Sequence, residues 1–187
     1  MRPQLWVFAG PNGAGKSTLV ADRLKGRLPT VNPDELALSL PDGRNRELEA
    51  GKLAVTARHA HLAARRSFGF ETTLTGRGEL MLIRQARQIG YKTNLVFVGI
   101  SSVELSVGRV SLRVSRGGHD VPHQALLRRF ERSFGNLKKA LTLVDRAFLV
   151  DNTARRRRLV AIRDGPTVHR RSRLPPWAET ALAGLLE

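Results

Sequence analysis

The residues best able to do chemistry begin at Gly10. Gly10-Pro11-Asn12-Gly13-Ala14-Gly15-Lys16-Ser17 has the spacing G-x-x-x-x-G-K-[ST]. It follows a short apolar run and opens a helical one, which is the setting this spacing requires. Glycines let the backbone curl so that successive N–H groups point inward at phosphate oxygens, and the helix start adds the positive end of its dipole. In such a loop Lys16 reaches the β- and γ-phosphates and Ser17 holds Mg²⁺ through its hydroxyl, with Thr18 beside it in the first turn. The pattern predicts ATP or a similar nucleoside triphosphate, bound with Mg²⁺.

The loop does not name the reaction. Its string resembles that of ABC-type ATPases, but the L-S-G-G-Q helix start and the Asp-Glu strand end of those proteins are missing: Phe148-Leu149-Val150-Asp151 is followed by Asn152. A phosphotransferase needs a carboxylate to orient the acceptor hydroxyl and cations to follow charge onto the transferred group. Asp34, in Val31-Asn32-Pro33-Asp34-Glu35, falls just after a short strand, where the crevice of an open α/β sheet lies. From position alone it reads first as a first-turn acid of a helix that Pro33 begins. Glu71 ends another strand before Thr72-Thr73-Leu74-Thr75, and either binds an acceptor or metal-bound water there or caps a turn. Arg109, Arg113 and Arg116 share one helical face opposite Val103, Val107, Val110 and Val114, and Gly117-Gly118-His119-Asp120 breaks the helix after them. That face is either the cationic lid of a kinase or a solvated surface.

These groups are positioned by alternating elements. Strands are predicted at Leu5–Ala9, Thr30–Asn32, Ser67–Glu71, Tyr91–Ile100, Ala147–Val150 and Leu159–Arg163. Helices are predicted at Lys16–Lys25, Asn45–Arg66, Glu79–Ile89, Val103–Arg116, Val121–Leu141 and after Pro175-Pro176. Leu48, Gly51, Val55, His59 and Leu62 read as the buried stripe of the second helix, which makes His59 a core residue and leaves His61 outside. Alternation of this kind builds an α/β fold with a mostly parallel central sheet and helices on both faces. Residues 1–187 are expected to form a single domain, with a lid at about 103–122 and a basic extension at about 153–187. Within that extension Arg155–Arg158 and His169–Arg173 read as a turn and a linker to the last helix.

Composition narrows the class. The 187 residues include 41% hydrophobic and 26% charged side chains, which excludes disordered, collagen-like and coiled-coil chains. With no cysteine there is no disulfide scaffold, thiolate metal site or thiol nucleophile. No run approaches the length of a membrane span, and the apolar stretch before Gly10 is too short for a signal peptide, so a cytoplasmic protein is expected. Lys and Arg number 32 against 16 Asp and Glu, a net charge of +16, and 26 of the 32 cations are arginine. Such a surface attracts nucleotides or nucleic acid, or reflects arginine-rich coding alone.

Taken together, Val7-Phe8-Ala9-Gly10 through Thr18, Val31-Asn32-Pro33-Asp34, Ser67 to Leu74 and Arg109 to Pro122 resemble the zeta toxin family, in order, from Leu5 to about Asn152. The resemblance implies a P-loop kinase-like three-layer sandwich and ATP/Mg²⁺-dependent phosphorylation of a hydroxyl. Better-known members act on UDP-N-acetylglucosamine. By the same resemblance, the loop from Gly10 to Thr18 binds ATP, Lys16 and Ser17 engage phosphate and Mg²⁺, and Asp34 is the base or hydroxyl-orienting carboxylate. Glu71 and Thr73 bind the acceptor, Arg109 and Arg116 contact the ATP phosphates, and Arg113 competes for either place. A cognate antitoxin is an expectation by analogy. The acid that larger members carry on the helix before Glu71 has no counterpart near Val55, and their long insertions are absent. The acceptor could also be a nucleic-acid end or another small alcohol, and a nucleic-acid-binding ATPase is the remaining alternative; with 5% aromatic residues, stacking platforms for single strands are few.

Overall fold

The structure, a computed structural model, describes residues 2–24, 26–43, 45–118 and 121–185; His119 and Asp120 of the expected lid turn lie outside the described residues. The apolar run before the glycine-rich loop forms β1 (Gln4–Ala9), and Lys16–Leu24 forms α1. The chain continues through β2 (Thr30–Val31), α2 (Pro33–Leu38), α3 (Arg46–Ala63), β3 (Phe68–Thr72), α4 (Arg77–Gln88) and β4 (Lys92–Gly99). It ends with α5 (Val103–Val114), α6 (His123–Leu143), β5 (Arg146–Asp151), β6 (Arg158–Asp164), β7 (Thr167–Arg170) and α7 (Pro176–Leu182). No helix among the described residues is long and apolar enough to cross a membrane.

All seven strands join one sheet in the order β2-β3-β1-β4-β5-β6-β7. The first five are parallel, and β6 and β7 add an antiparallel edge. The chain passes from β1 to one side, through β2 and β3, and then crosses to β4 on the other side. The strand order therefore reverses at β1, and the crevice beyond its carboxyl end is where such sheets take ligands. Register makes that end flush: Phe8 pairs with Glu71, Ala9 with Thr72, and Ala9 also with Phe97.

Both faces of the sheet are covered. On one, Phe8, Val96, Val98 and Ile100 pack against Ala14, Leu19 and Leu105. On the other, Val7, Phe68, Phe70, Leu95 and Phe97 meet residues of α3, α4, α6 and α7. Phe68 and Phe70 are wholly buried, each contributing about 1.5–3 kcal/mol of apolar transfer energy. Trp177 of α7 lies directly on β4: a Cβ built on Gly99 would stand 2.4 Å from the indole. Its ring also neighbours Phe97 and Phe134, each with centroids 5.7 Å away.

Three local expectations are corrected. The buried stripe of α3 is Ala50, Ala54 and Leu62, whereas Leu48 and Val55 are 60% and 50% exposed. Small residues let α3 approach the sheet closely, so its bulkier aliphatics turn outward. The histidines exchange places accordingly: His59 is exposed, and His61 stacks on Phe68 with ring centroids 4.9 Å apart. Third, His169 and Arg170 are not linker but the end of β7, paired with Ile162 and Ala161. A charged edge strand has little hydrophobic alternation to betray it, and its arginine discourages pairing with other edges.

Candidate active site

The loop between β1 and α1 takes its shape from positions where only glycine fits. Gly10 (φ +141°) would place a Cβ 2.1 Å from the Val98 carbonyl oxygen, and Gly15 (φ +91°) one 2.6 Å from Asn152 Nδ2. Neighbouring elements then fix the curl. Ser106 Oγ donates to the Asn12 carbonyl at 2.7 Å, and Asn152 Nδ2 donates to the Ala14 carbonyl at 2.7 Å. Pro11 and Ala14 are buried, and no acidic residue stands in the first turn of α1 to compete for an anion. The Asn12 side-chain oxygen is sealed from solvent with no hydrogen-bond partner.

Lys16 Nζ donates to the Gly10 and Pro11 carbonyls, each at 2.9 Å. Burial pulls its pKa down to about 8, while Glu71 and Asp34 favour its charge and Arg113 opposes it. The ammonium is thus held by two weak acceptors, under the influence of both carboxylates singled out by the sequence and one of the three arginines.

Glu71 arrives from the carboxyl end of β3 and is almost wholly buried. One oxygen accepts from Ser17 Oγ at 2.6 Å and the other from Asn32 Nδ2 at 3.1 Å. Burial raises its pKa, against the Ser17 hydrogen bond and the Lys16 charge. Asn32 also caps α2: its side-chain oxygen accepts from Asp34 N at 3.0 Å, and Pro33 occupies the first helical position. Asp34 is therefore a first-turn acid of α2, exposed at the crevice. The same helix start brings Asp34 within electrostatic reach of Lys16.

Beyond Glu71 the chain turns tightly. Thr72 Oγ1 donates to Glu79 Oε1 at 2.9 Å and accepts from Leu74 N at 2.9 Å. Leu74 is buried with φ +57°, an unfavourable backbone for leucine that the surroundings impose. Asn136 of α6 supports it by donating to its carbonyl at 3.0 Å. Thr73, half-buried, shares a hydroxyl contact of 3.2 Å with Thr75.

The arginines differ in depth. Arg109 leans on the loop, with guanidinium nitrogens 3.5 Å from the Gly13 carbonyl and 3.4 Å from that of Thr153. Arg113 is half-buried and acts on Lys16 electrostatically, and Arg116 is exposed beyond the end of α5. Val110 is buried and Val107 and Val114 are partly so, packed with Val121 and Leu126. Thr18 is exposed and makes no side-chain hydrogen bond among the described residues.

Sequence reasoning passed over Asn32, Ser106 and Asn152 as site residues. Asn32 had a usable signal, since Asn before Pro is a helix cap followed by a first-position proline. Ser106 and Asn152 had none, because their role is tertiary support of a loop about 94 and 138 residues away.

No protein-family model matches the chain. An uncharacterized protein of Haemophilus influenzae (strain ATCC 51907 / DSM 11121 / KW20 / Rd) is 27% identical over 139 residues, covering 70% of this chain and 99% of that protein. A chain of the AvrRxo1-ORF1:-ORF2 structure with ATP has a TM-score of 0.73 at 17% identity, over 91% of this chain and 61% of that one. A chain from the PezAT chromosomal toxin-antitoxin system of Streptococcus pneumoniae has a TM-score of 0.64 at 17% identity, over 81% of this chain and 68% of that one. This chain therefore spans about three-fifths of the AvrRxo1 chain it matches. With its β2-β3-β1-β4-β5 parallel core and the glycine-rich loop at the switch point, it shares the α/β fold of these two solved structures.

Proposed function

We propose that the protein is a kinase that transfers the ATP γ-phosphate to a hydroxyl of a small acceptor, a nucleotide-sugar such as UDP-N-acetylglucosamine being the first candidate. The observation that carries this reading is convergence: Lys16, Ser17, Asn32, Asp34 and Glu71 meet at the carboxyl ends of β1, β2 and β3, though they come from three separate stretches of chain. The glycine-bounded loop fits a polyphosphate, since it is held open by Ser106 and Asn152 rather than filled by side chains. Ser17 and Glu71 present the hard oxygens that Mg²⁺ prefers. Bound there, Mg²⁺ would neutralise charge on the β- and γ-phosphates.

In this mechanism Lys16 exchanges the Gly10 and Pro11 carbonyls for phosphate oxygens, a stronger partner for an ammonium. Asp34 orients the acceptor hydroxyl and receives its proton. The oxygen–phosphorus bond to the acceptor forms as the bond to the β-phosphate bridging oxygen breaks, leaving ADP. Glu71 and Thr73 hold the acceptor, and Arg109, Arg113 and Arg116 follow the charge as α5 closes. The two solved neighbours named for paired proteins support a cognate protein partner for this chain as well.

The test is acceptor-dependent consumption of ATP, with mass spectrometry of the products, run on UDP-N-acetylglucosamine and then on a small-molecule extract. The blank is Asp34→Ala. A product heavier by one phosphate and absent from the blank is expected. Loss of ATP to water alone, equal in both proteins, would overturn the proposal.

A further inference from the structure

A cavity of about 440 Å³ opens at the other end of the sheet from the phosphate loop. It lies between the end of α4, the amino ends of β4 and β5, and the turn from β6 to β7. Arg2, Arg87, Lys92 and Arg163 line it together with Asp145 and Asp164. Backbone carbonyls hold the three guanidiniums at its rim. Arg2 donates from Nε to the Gly90 carbonyl at 2.8 Å and from Nη2 to that of Tyr91 at 2.7 Å. Arg87 Nη1 and Arg163 Nη1 donate to the consecutive carbonyls of Leu143 and Val144, at 3.3 and 2.9 Å. These bonds fix each guanidinium but use only part of its donors. Arg163 Nε is sealed from solvent with no hydrogen-bond partner, and Lys92 Nζ makes no hydrogen bond within the described residues. The two carboxylates are largely spent. Asp145 Oδ2 accepts from Thr93 N at 2.8 Å and from Thr93 Oγ1 at 3.1 Å. It stands 3.8 Å from Arg2 and 3.7 Å from Arg87, too far for hydrogen bonds. Asp164 takes Nε and Nη2 of Arg146, a cation outside the lining, at 3.1 and 2.6 Å. Burial and then Arg87 lower the pKa of Arg163, against Asp145.

Arg87 and Arg163 cap the last carbonyls of α6, which accounts for one N–H of each. It does not account for four cations around one shared carboxylate, which repel one another and are kept together by carbonyl anchors rather than by counter-charge. Guanidiniums fixed on one side and free on the other match the oxygens of a phosphate. No aromatic ring lines the cavity, so a base has no platform to stack on and the anion itself is the ligand. Nor is that anion the reacting phosphate of ATP. β4 runs 8 residues from Lys92 to Gly99, about 26 Å at 3.3 Å per residue, and Gly10 meets it near its far end, at Val98. We propose that the cavity binds a compact oxyanion of two or more charges, a pyrophosphate or a phosphate ester, between Arg2, Arg87, Lys92 and Arg163. This second site does not depend on the kinase reading. A bound dianion supplies the counter-charge that Asp145 alone does not, and ties the end of α4 to the β6–β7 turn.

Because the phosphate loop also attracts phosphate, binding is measured in the full chain carrying Lys16→Met, by calorimetric titration at fixed ionic strength without divalent cations. Pyrophosphate and methyl phosphate, a diphosphate and a simple ester, are the probes. Binding at one site is expected, and the ratio of the two affinities tells which of the two the cavity fits. Adding Arg87→Gln and Lys92→Gln is expected to weaken it by at least about tenfold. Asp164→Asn, which removes a carboxylate from the lining, is expected to tighten it by about twofold to fivefold, an effect that misfolding cannot imitate. In the chain with Lys16 intact, Arg87→Gln with Lys92→Gln should leave the affinity for ATP unchanged. Absence of binding in Lys16→Met overturns the site, as does binding that Arg87→Gln with Lys92→Gln leaves as it was or that Asp164→Asn fails to tighten. None of these results bears on acceptor-dependent ATP consumption, so the kinase reading stands or falls separately.

Discussion

Ser17 Oγ donates a 2.6 Å hydrogen bond to Glu71 Oε2, joining the first turn of α1 to the carboxyl end of β3. The bond sets the hydroxyl's proton toward Glu71 and leaves the oxygen lone pairs free for a cation. Because Glu71 is also held by Asn32, the carboxylate cannot turn away without abandoning a buried donor. Its removal is therefore a test of cation positioning. Glu71→Gln is expected to raise the Mg²⁺ concentration needed for half-maximal turnover by about 10- to 100-fold, the usual effect of losing a group behind a metal ligand. A magnesium titration of both proteins reads it, and an unchanged requirement would remove Glu71 from this role.

Glu71 also makes stability depend on pH. Its folded pKa lies above the ordinary glutamate value because burial outweighs the Ser17 bond and the Lys16 charge. Between the unfolded and the folded pKa the native state binds more protons than the unfolded chain, so stability falls as pH rises through that window. Glu71→Gln lacks this penalty. Its melting temperature in the absence of nucleotide is expected to exceed that of the wild type at pH 7.5, with the gap closing toward pH 4. A gap that widens toward acid pH would contradict the sign.

Lys16 gives a second proton signature. Its pKa of about 8 arises from burial against two carbonyls, and a bound triphosphate replaces these with full negative charge. The group must then be protonated at any pH near neutrality. At pH 9 ATP binding is expected to take up close to one proton, and at pH 6.5 almost none, since Lys16 is already charged there. Calorimetric titration in buffers of different ionisation enthalpy measures this, and Lys16→Met should abolish the pH 9 uptake. Equal uptake in that variant would place the titrating group elsewhere.

The same division between local and tertiary signals decides what the amino-acid sequence discloses. Strand and helix order follow from periodicity, and the phosphate loop from its spacing, because both are local properties of the backbone. The crevice is legible wherever a motif ends a strand, as with Asp34 and Glu71. Residues that brace the loop from other elements, Ser106 and Asn152, leave no trace, because nothing local distinguishes them from surface polar residues. On α3 the error is more instructive. Leu48 and Val55 have helical spacing and bulk, but the sheet accepts Ala50 and Ala54 instead, so hydrophobicity alone picked the wrong face.

That correction has a stability consequence. Ala54 is wholly buried and Val55 is half exposed on the next residue of the same helix. Ala54→Leu is expected to cost about 1–3 kcal/mol by overpacking the space between α3 and the sheet. Val55→Lys should lie within about 0.5 kcal/mol of the wild type. Urea unfolding of the two variants distinguishes the faces, and the reverse order of cost would restore the stripe read from the sequence.

Two glycines separate the phosphate loop's demands from helix propensity. At Gly10 a methyl group would meet the Val98 carbonyl oxygen at 2.1 Å, a backbone atom that can move only with β4, and φ +141° is hostile to any side chain. Gly108, in the middle of α5, has nothing within 4 Å of the same position. Gly10→Ala is therefore expected to cost more than about 2 kcal/mol and to eliminate measurable ATP binding. Gly108→Ala should instead stabilise by about 0.5–1 kcal/mol, since alanine loses less backbone entropy in a helix. Its effect on turnover bears on the lid. If α5 closes over the triphosphate as a rigid body, a stiffer helix leaves kcat within twofold. A large fall in kcat in this better-folded variant would mean that α5 has to bend at Gly108, between Val107 and Arg109, for the arginines to reach their positions.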